Sequence, residues 1–173
     1  MIAKRVVSSL VAVVALLVAA PALADERMII KYPGEHPMYR FEAEPHGLLG
    51  FTGPFGYAGA FGAGFRGTVI VADNGFIKTI NNSVGIGFGA DFFFRNNTVF
   101  VPVVMQWNFY LSTHWSVFGE PGLGFVGNGA SSKAKDVLYP VFGAGGRYHF
   151  TDKIALTMRI GYPSLSVGVS FLL

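Results

Sequence analysis

His114 and Ser116 stand two residues apart, with Glu120 four positions further on. A histidine that takes the proton of a serine hydroxyl creates a nucleophile, so this trio has the residue types of acyl transfer. The competing reading makes Ser112-Thr113-His114 a tight polar turn and Ser116 the start of a strand. A second set is larger: Arg40, Glu42, Glu44, His46, Arg66, Asp91, Glu120, Arg147, His149 and Arg159. Four arginines, four carboxylates and two histidines could neutralise one another as an ion-pair network if one enclosed space holds them. Metal chemistry has no support, because the four histidines are isolated and the chain has no cysteine. The glycine run from Gly53 to Gly67 lacks the Lys-Ser/Thr and following helix of a phosphate loop, and reads as strand glycine. No cofactor is expected.

Strands are the elements that must position these residues. Lys4 and Arg5 precede an apolar run from Val6 to Ala20, and Ala22-Leu23-Ala24 offers a small-residue cleavage pattern before Asp25. Residues 1–24 therefore read as a cleaved secretory signal peptide. The run is shorter than the roughly 20 residues that a membrane-crossing helix needs. Without Lys4 and Arg5, 11 lysines and arginines face 10 acids, so the basic balance is no argument for nucleic acid. Residues 25–38 hold two prolines and no sustained period, and read as a periplasmic lead-in. The domain itself is residues 39–173. Eight strand candidates follow: 39–52, 56–71, 83–94, 98–111, 115–126, 137–150, 154–161 and 165–173. Asp73-Asn74-Gly75 is also a hairpin signal, and Phe76 to Ile80 could pair, so ten strands are possible. Pro45, Pro102, Pro121 and Pro140 fall within strand candidates, where each removes a backbone donor.

The alternation decides which solvent each face meets. In the last strand Leu165, Val167, Val169, Phe171 and Leu173 share one face, opposite Ser166, Gly168 and Ser170. The less apolar faces elsewhere are rich in glycine, alanine and serine, which fit the inside of a narrow barrel. Each lysine after the leader, namely Lys31, Lys78, Lys133, Lys135 and Lys153, falls in a lead-in, loop or turn. A charge facing lipid at the midplane costs roughly 2–4 kcal/mol, so the apolar face points outward and the in-strand charges point into the lumen. Aromatic residues gather at strand ends. Trp107, Phe109, Trp115, Tyr148, Phe150 and Phe171 form one belt, with Tyr39 and Phe41 on the same side, and Phe51, Tyr57, Phe92, Phe94 and Tyr162 lie toward the other rim.

The leader, strand count, two-residue alternation and closing strand resemble the small eight-stranded outer-membrane β-barrels of Gram-negative bacteria, of the OmpA/OmpX type. The resemblance covers about residues 39–173 and implies an all-β, closed antiparallel transmembrane barrel in the outer membrane. It implies periplasmic termini, contact with outer-membrane lipids, use of the barrel-assembly machinery during biogenesis, and a monomer. In that group the last strand usually ends in an aromatic residue; here Leu173 is last and Phe171 lies two before it. His114-Trp115-Ser116 is similar to the His-x-Ser pair of outer-membrane lipid A deacylases, although the register points it away from lipid. The reading that follows is a non-enzymatic barrel with a structural or surface-interaction role. A narrow channel or hydrophobic-ligand conduit is the alternative, followed by a lipid A-modifying enzyme.

Overall fold

In the computed structural model, residues 26–51, 60–95, 97–128, 137–162 and 164–173 are described. The leader, Tyr57 and most of the polar connection between the fifth and sixth strands lie outside these residues. The strands are β1 (Phe41–Gly50), β2 (Ala60–Ala72), β3 (Asn82–Phe93), β4 (Thr98–Tyr110), β5 (Trp115–Asn128), β6 (Val137–Thr151), β7 (Ile154–Tyr162) and β8 (Ser164–Leu172). Each pairs antiparallel with its sequence neighbours, and β1 pairs with β8, which closes the barrel. Closure leaves no unpaired sheet edge to face lipid. The eight expected strands are present, and the alternative of ten is not realised among the described residues. Phe76 to Ile80 form turns instead of a strand, because Asn82 captures the carbonyls of Ile77 and Ile80 at 2.7 and 2.8 Å.

The two-residue alternation sorts the faces as the outward-apolar register requires. On β4, Val99, Val101 and Val103 are exposed, while Thr98, Phe100, Pro102, Val104, Gln106, Asn108 and Tyr110 are buried inside. On β7, Ile154, Met158 and Ile160 face out, and Ala155, Thr157 and Arg159 face in. The inside carries two kinds of packing. Toward the end away from the termini, Leu48, Ala60, Phe93, Phe100, Val104, Val126 and Val141 form an apolar cluster. Between this cluster and the terminal end lies the polar set described below.

The four prolines each fall where a ladder is interrupted or has ended. β1–β8 pairing skips from Ala43↔Phe171 to His46↔Gly168, around Pro45. β3–β4 pairing skips from Phe88↔Val103 to Asp91↔Phe100, around Pro102. β4–β5 pairing skips from Val104↔Gly122 to Trp107↔Gly119, around Pro121. Pro140 lies beyond Phe142↔Tyr162, the last pair of the β6–β7 ladder. Three of these prolines thus cost a rung, each at a different seam, and the fourth lies past the end of one, so no single seam is opened twice.

The lead-in has no period, yet it is well placed. Ile29 N–H donates to the Leu111 carbonyl, Thr113 N–H to Arg27 and Asn81 N–H to Ile30. Ser112 Oγ donates to the Glu26 carboxylate, and Arg27 pairs with Glu35 at 2.7 Å. His36 lies flat against the Tyr110 ring at 4.2 Å and donates from Nδ1 to Asn81 Oδ1 at 2.6 Å. These contacts draw residues 26–39 across the mouth of the barrel at the terminal end.

Candidate functional site

Because inward residues of paired strands share a row, a glycine in the row lets the side chains on either side of it meet across the gap. His46, Gly64 and Asp91 form one such row across β1, β2 and β3. A Cβ on Gly64 would collide with both the Asp91 carboxylate and the His46 ring, so its absence lets those two bond across the strand between them. Their separation is 2.9 Å, from His46 Nε2 to Asp91 Oδ1. The other ring nitrogen faces the Glu44 backbone oxygen at 3.2 Å and its carboxylate at 3.4 Å. Both ring nitrogens meet acceptors, which is the arrangement of a doubly protonated imidazole.

Two ionic layers follow from this row. In the first, Arg159 grips Glu44 through Nη1 and Nη2 at 2.8 and 2.9 Å and Glu120 through Nε at 2.7 Å. Arg66 extends it to Glu120 at 3.5 Å and Asp91 at 3.9 Å. In the second, nearer the termini, Arg147 holds Glu42 through Nε at 2.9 Å and Nη2 at 2.7 Å, and donates to Asn108 at 2.8 Å. Phe118 lies beneath both arginines, its ring 4.3 Å from the Arg147 guanidinium and 5.2 Å from that of Arg159. Gln106 sits at the junction. Its amide is 3.3 Å from Glu42, and the reversed amide orientation turns the nitrogen toward Glu120 at 3.2 Å. Among the described residues, three arginines and His46 stand against four carboxylates in the lumen, a balanced set when the imidazole carries its second proton. Fork-shaped arginine–carboxylate pairs of this kind are the strong, directional ones.

The structure therefore brings together Glu42, Glu44, His46, Arg66, Asp91, Glu120, Arg147 and Arg159. Two residues expected with them stand apart. Arg40 precedes the first residue of β1, and its side chain, 79% exposed, turns to Asp73 at 3.5 Å on the rim. His149 is inside but, among the described residues, meets no carboxylate and has no hydrogen-bond partner for its Nδ1; its Nε2 lies 2.9 Å from Ser116 Oγ. Ser116 points inward as expected, yet its partner is His149 rather than His114. The His114 ring instead stacks on Tyr148 at 5.8 Å. With no carboxylate on His149 Nδ1 and Ser116 fully buried, this pair lacks both the orienting acid and the access that a serine nucleophile needs.

Sequence reasoning missed the neutral members. Thr68 donates to Gln106 at 2.9 Å, Ser170 to Glu42 at 2.7 Å and Arg159 to Ser166 at 3.3 Å, while Thr157 and Ser170 hydroxyls meet at 2.5 Å. Their signal was available, since Thr68 and Thr157 share parity with Arg66 and Arg159, and Ser166 and Ser170 lie on the small, polar face of the last strand. Among the aromatics, Trp107 packs on Phe109 at 4.8 Å, and Tyr148 meets Trp115 at 5.1 Å and Phe150 at 5.3 Å. Phe171 is exposed on the same outer belt. Tyr39 is corrected: it is buried in the mouth, its hydroxyl 3.4 Å from that of Tyr110.

No protein-family model matches the chain, and no curated protein does. Solved structures do match in shape. A de novo designed transmembrane β-barrel aligns with a TM-score of 0.53 at 12% identity, over 83% of this chain and 99% of the design. The attachment invasion locus protein Ail of Yersinia pestis aligns at 0.54 and 12% identity, over 79% of this chain and all of Ail (100%). Neisserial surface protein A aligns at 0.53 and 11%, over 77% and 96%. At such identities the likeness speaks for the backbone alone, and together with the apolar exterior it gives the conclusion: this chain has the fold of the small eight-stranded transmembrane β-barrels of bacterial outer membranes.

Proposed function

We propose that this chain is a non-enzymatic outer-membrane barrel, a solid transmembrane scaffold whose role is structural or lies in contacts made at its outer surface. One observation carries the reading: among the described residues, bonded and packed side chains from facing strands meet across the lumen. Above the two ionic layers lies the apolar cluster, and below them the lead-in crosses the mouth. A continuous water path would have to break buried fork-shaped pairs. The same filling disfavours a hydrophobic-ligand conduit, whose bore would need to be apolar throughout and empty. Two of the similarly folded proteins carry names that fit a surface role, an attachment invasion locus protein and a surface protein, and one structure of the former holds a heparin analogue. The working partners are then outer-membrane lipids along the wall and the barrel-assembly machinery during insertion, with the barrel acting as a monomer and its termini in the periplasm.

The test is conductance of the purified, refolded protein in a planar lipid bilayer. The scaffold reading expects no resolved unitary steps. Stable single-channel steps that depend on salt concentration would replace it with the narrow-channel reading. Lipid A mass spectra from cells with and without the protein test the enzymatic reading separately, and the expected result is identical acylation.

A further inference from the structure

On the outer face of β3, Ile86 and Phe88 are 42% and 45% exposed, as wall residues should be, but Val84 and Asn82 of the same row are 4% and 1% exposed. The connection between β2 and β3 covers them by folding back over the outside of the wall. Asn82 anchors it: Nδ2 donates to the carbonyls of Ile77 and Ile80, Oδ1 accepts from Trp107 Nε1 at 2.9 Å, and its carbonyl accepts from Gly75 N–H. A Cβ on Gly75 would collide with the Asn82 side chain, so glycine lets the connection lie this close. Phe76 then meets Trp107 edge-on at 5.3 Å. Its other side is open, for Phe76 is 63% exposed and Ile77 39%.

This placement extends a pattern. The outer belt at the terminal end runs through Trp107, Trp115, Tyr148 and Phe171 on β4, β5, β6 and β8, with Phe41 at the start of β1. At that height β2 and β3 carry only Val69, Val71 and Val84. Phe76, set against Trp107, brings an aromatic to that sector, whereas β7 carries Ile154 and Leu156 at the same height. Two cations flank it, the exposed Lys78 and Arg40, the latter beside Asp73 where the connection leaves β2. Aromatic and aliphatic tips with lysine or arginine just beyond them match the depth profile of a leaflet, hydrocarbon followed by phosphate.

We propose that residues 73–80 are an interfacial foot: Phe76 and Ile77 enter the acyl region of the leaflet at the terminal end, and Lys78 and Arg40 take the phosphates of its phospholipids. The occupant is argued from continuity with the lipid-facing wall through Trp107 and from the sign of the flanking charges. It rests on the membrane reading of the barrel.

The chain has no cysteine, so single-cysteine labelling is clean. Spin labels are placed at Ile77→Cys, at Val103→Cys on the mid-wall and at Asp152→Cys in the β6–β7 turn. The protein is reconstituted in phosphatidylethanolamine–phosphatidylglycerol vesicles, and collisions with oxygen and with a nickel chelate are compared. The foot expects the oxygen-to-nickel ratio at position 77 to follow Val103 and exceed Asp152 by about twofold or more. A ratio at 77 equal to that at 152 overturns the proposal while leaving the barrel reading intact. Nickel preference at Val103 would sink the barrel reading itself. With the label at 77, Lys78→Glu should lower the ratio in these anionic vesicles, and an unchanged ratio removes the phosphate contact from the proposal.

Discussion

Replacing Arg159 with leucine tests the lumen network most directly. The change removes three charge-assisted bonds of 2.7–2.9 Å and leaves two buried carboxylates short of a partner. Each keeps a weaker neighbour, His46 at 3.4 Å from Glu44 and Arg66 at 3.5 Å from Glu120, so the loss is cushioned but not cancelled. Breaking a buried ion pair by deleting one member costs about 3–5 kcal/mol. For a chain of this size each kcal/mol moves the thermal midpoint by about 2–4 °C, which gives a fall on the order of 6–20 °C. Heat-modifiable gel migration of the detergent-folded protein, sampled across temperature, measures that midpoint. Neutralising one stranded acid as well, with Glu44→Gln in the Arg159→Leu background, should recover part of the loss, because it restores the match of charges while Glu120 keeps Arg66 and His46 keeps Asp91. If the single variant melts within about 2 °C of the parent, the pairs are water-screened and the closed-lumen argument fails.

Three further outcomes follow from the same geometry. Gly64→Ala pushes a methyl between His46 and Asp91, and should cost about 1–3 kcal/mol by chemical denaturation in detergent; a neutral result would mean the row is wider than described. Asn82→Ala frees the carbonyls of Ile77 and Ile80 and the Trp107 indole N–H, so in a Trp115→Phe background Trp107 emission should shift, and identical spectra would show that Asn82 does not hold the connection. Burial holds His36 below the ordinary imidazole range, against the opposing pull of its bond to Asn81 and of Asp73. The unfolded or detached lead-in therefore binds the proton more readily. The seal over the mouth is fully present above about pH 6.5 and weakens as pH falls below it, so the protection of residues 26–39 against hydrogen exchange, relative to the intrinsic rate at each pH, should fall on acidification, and protection that rises instead would reverse the sign.

Much of the barrel was legible because a strand records its environment every second residue. Glu42, Glu44, Asp91, Glu120, Arg147 and Arg159 all share the parity of small or buried residues on their strands, and that parity alone put them inside. Arg40 shares it too, but parity carries no information past the last rung, where a side chain is free to flare outward. Pairing was less legible than facing. That His149 meets Ser116 depends on how β5 and β6 register, Ser116 opposite Arg147, which neither strand encodes by itself. The lead-in could not be placed at all: its contacts with Asn81 and Leu111 span many tens of residues, and no local period announces them. The connection over Asn82 was misjudged for the opposite reason, since Asp73-Asn74-Gly75 is a strong local hairpin signal that a single outward asparagine outcompetes.

The interrupted rungs give β4 an unusual mechanical position. Its wall bonds lapse toward β3 near Pro102 and, a few residues further along the strand, toward β5 opposite Pro121. What fastens it there runs across the bore instead, through Gln106 to Thr68 and Glu42, and through Asn108 to Arg147. The cylinder thus has one stave braced by internal spokes more than by its hoops, and cutting the spokes at Gln106 would let the shell itself breathe along that stave.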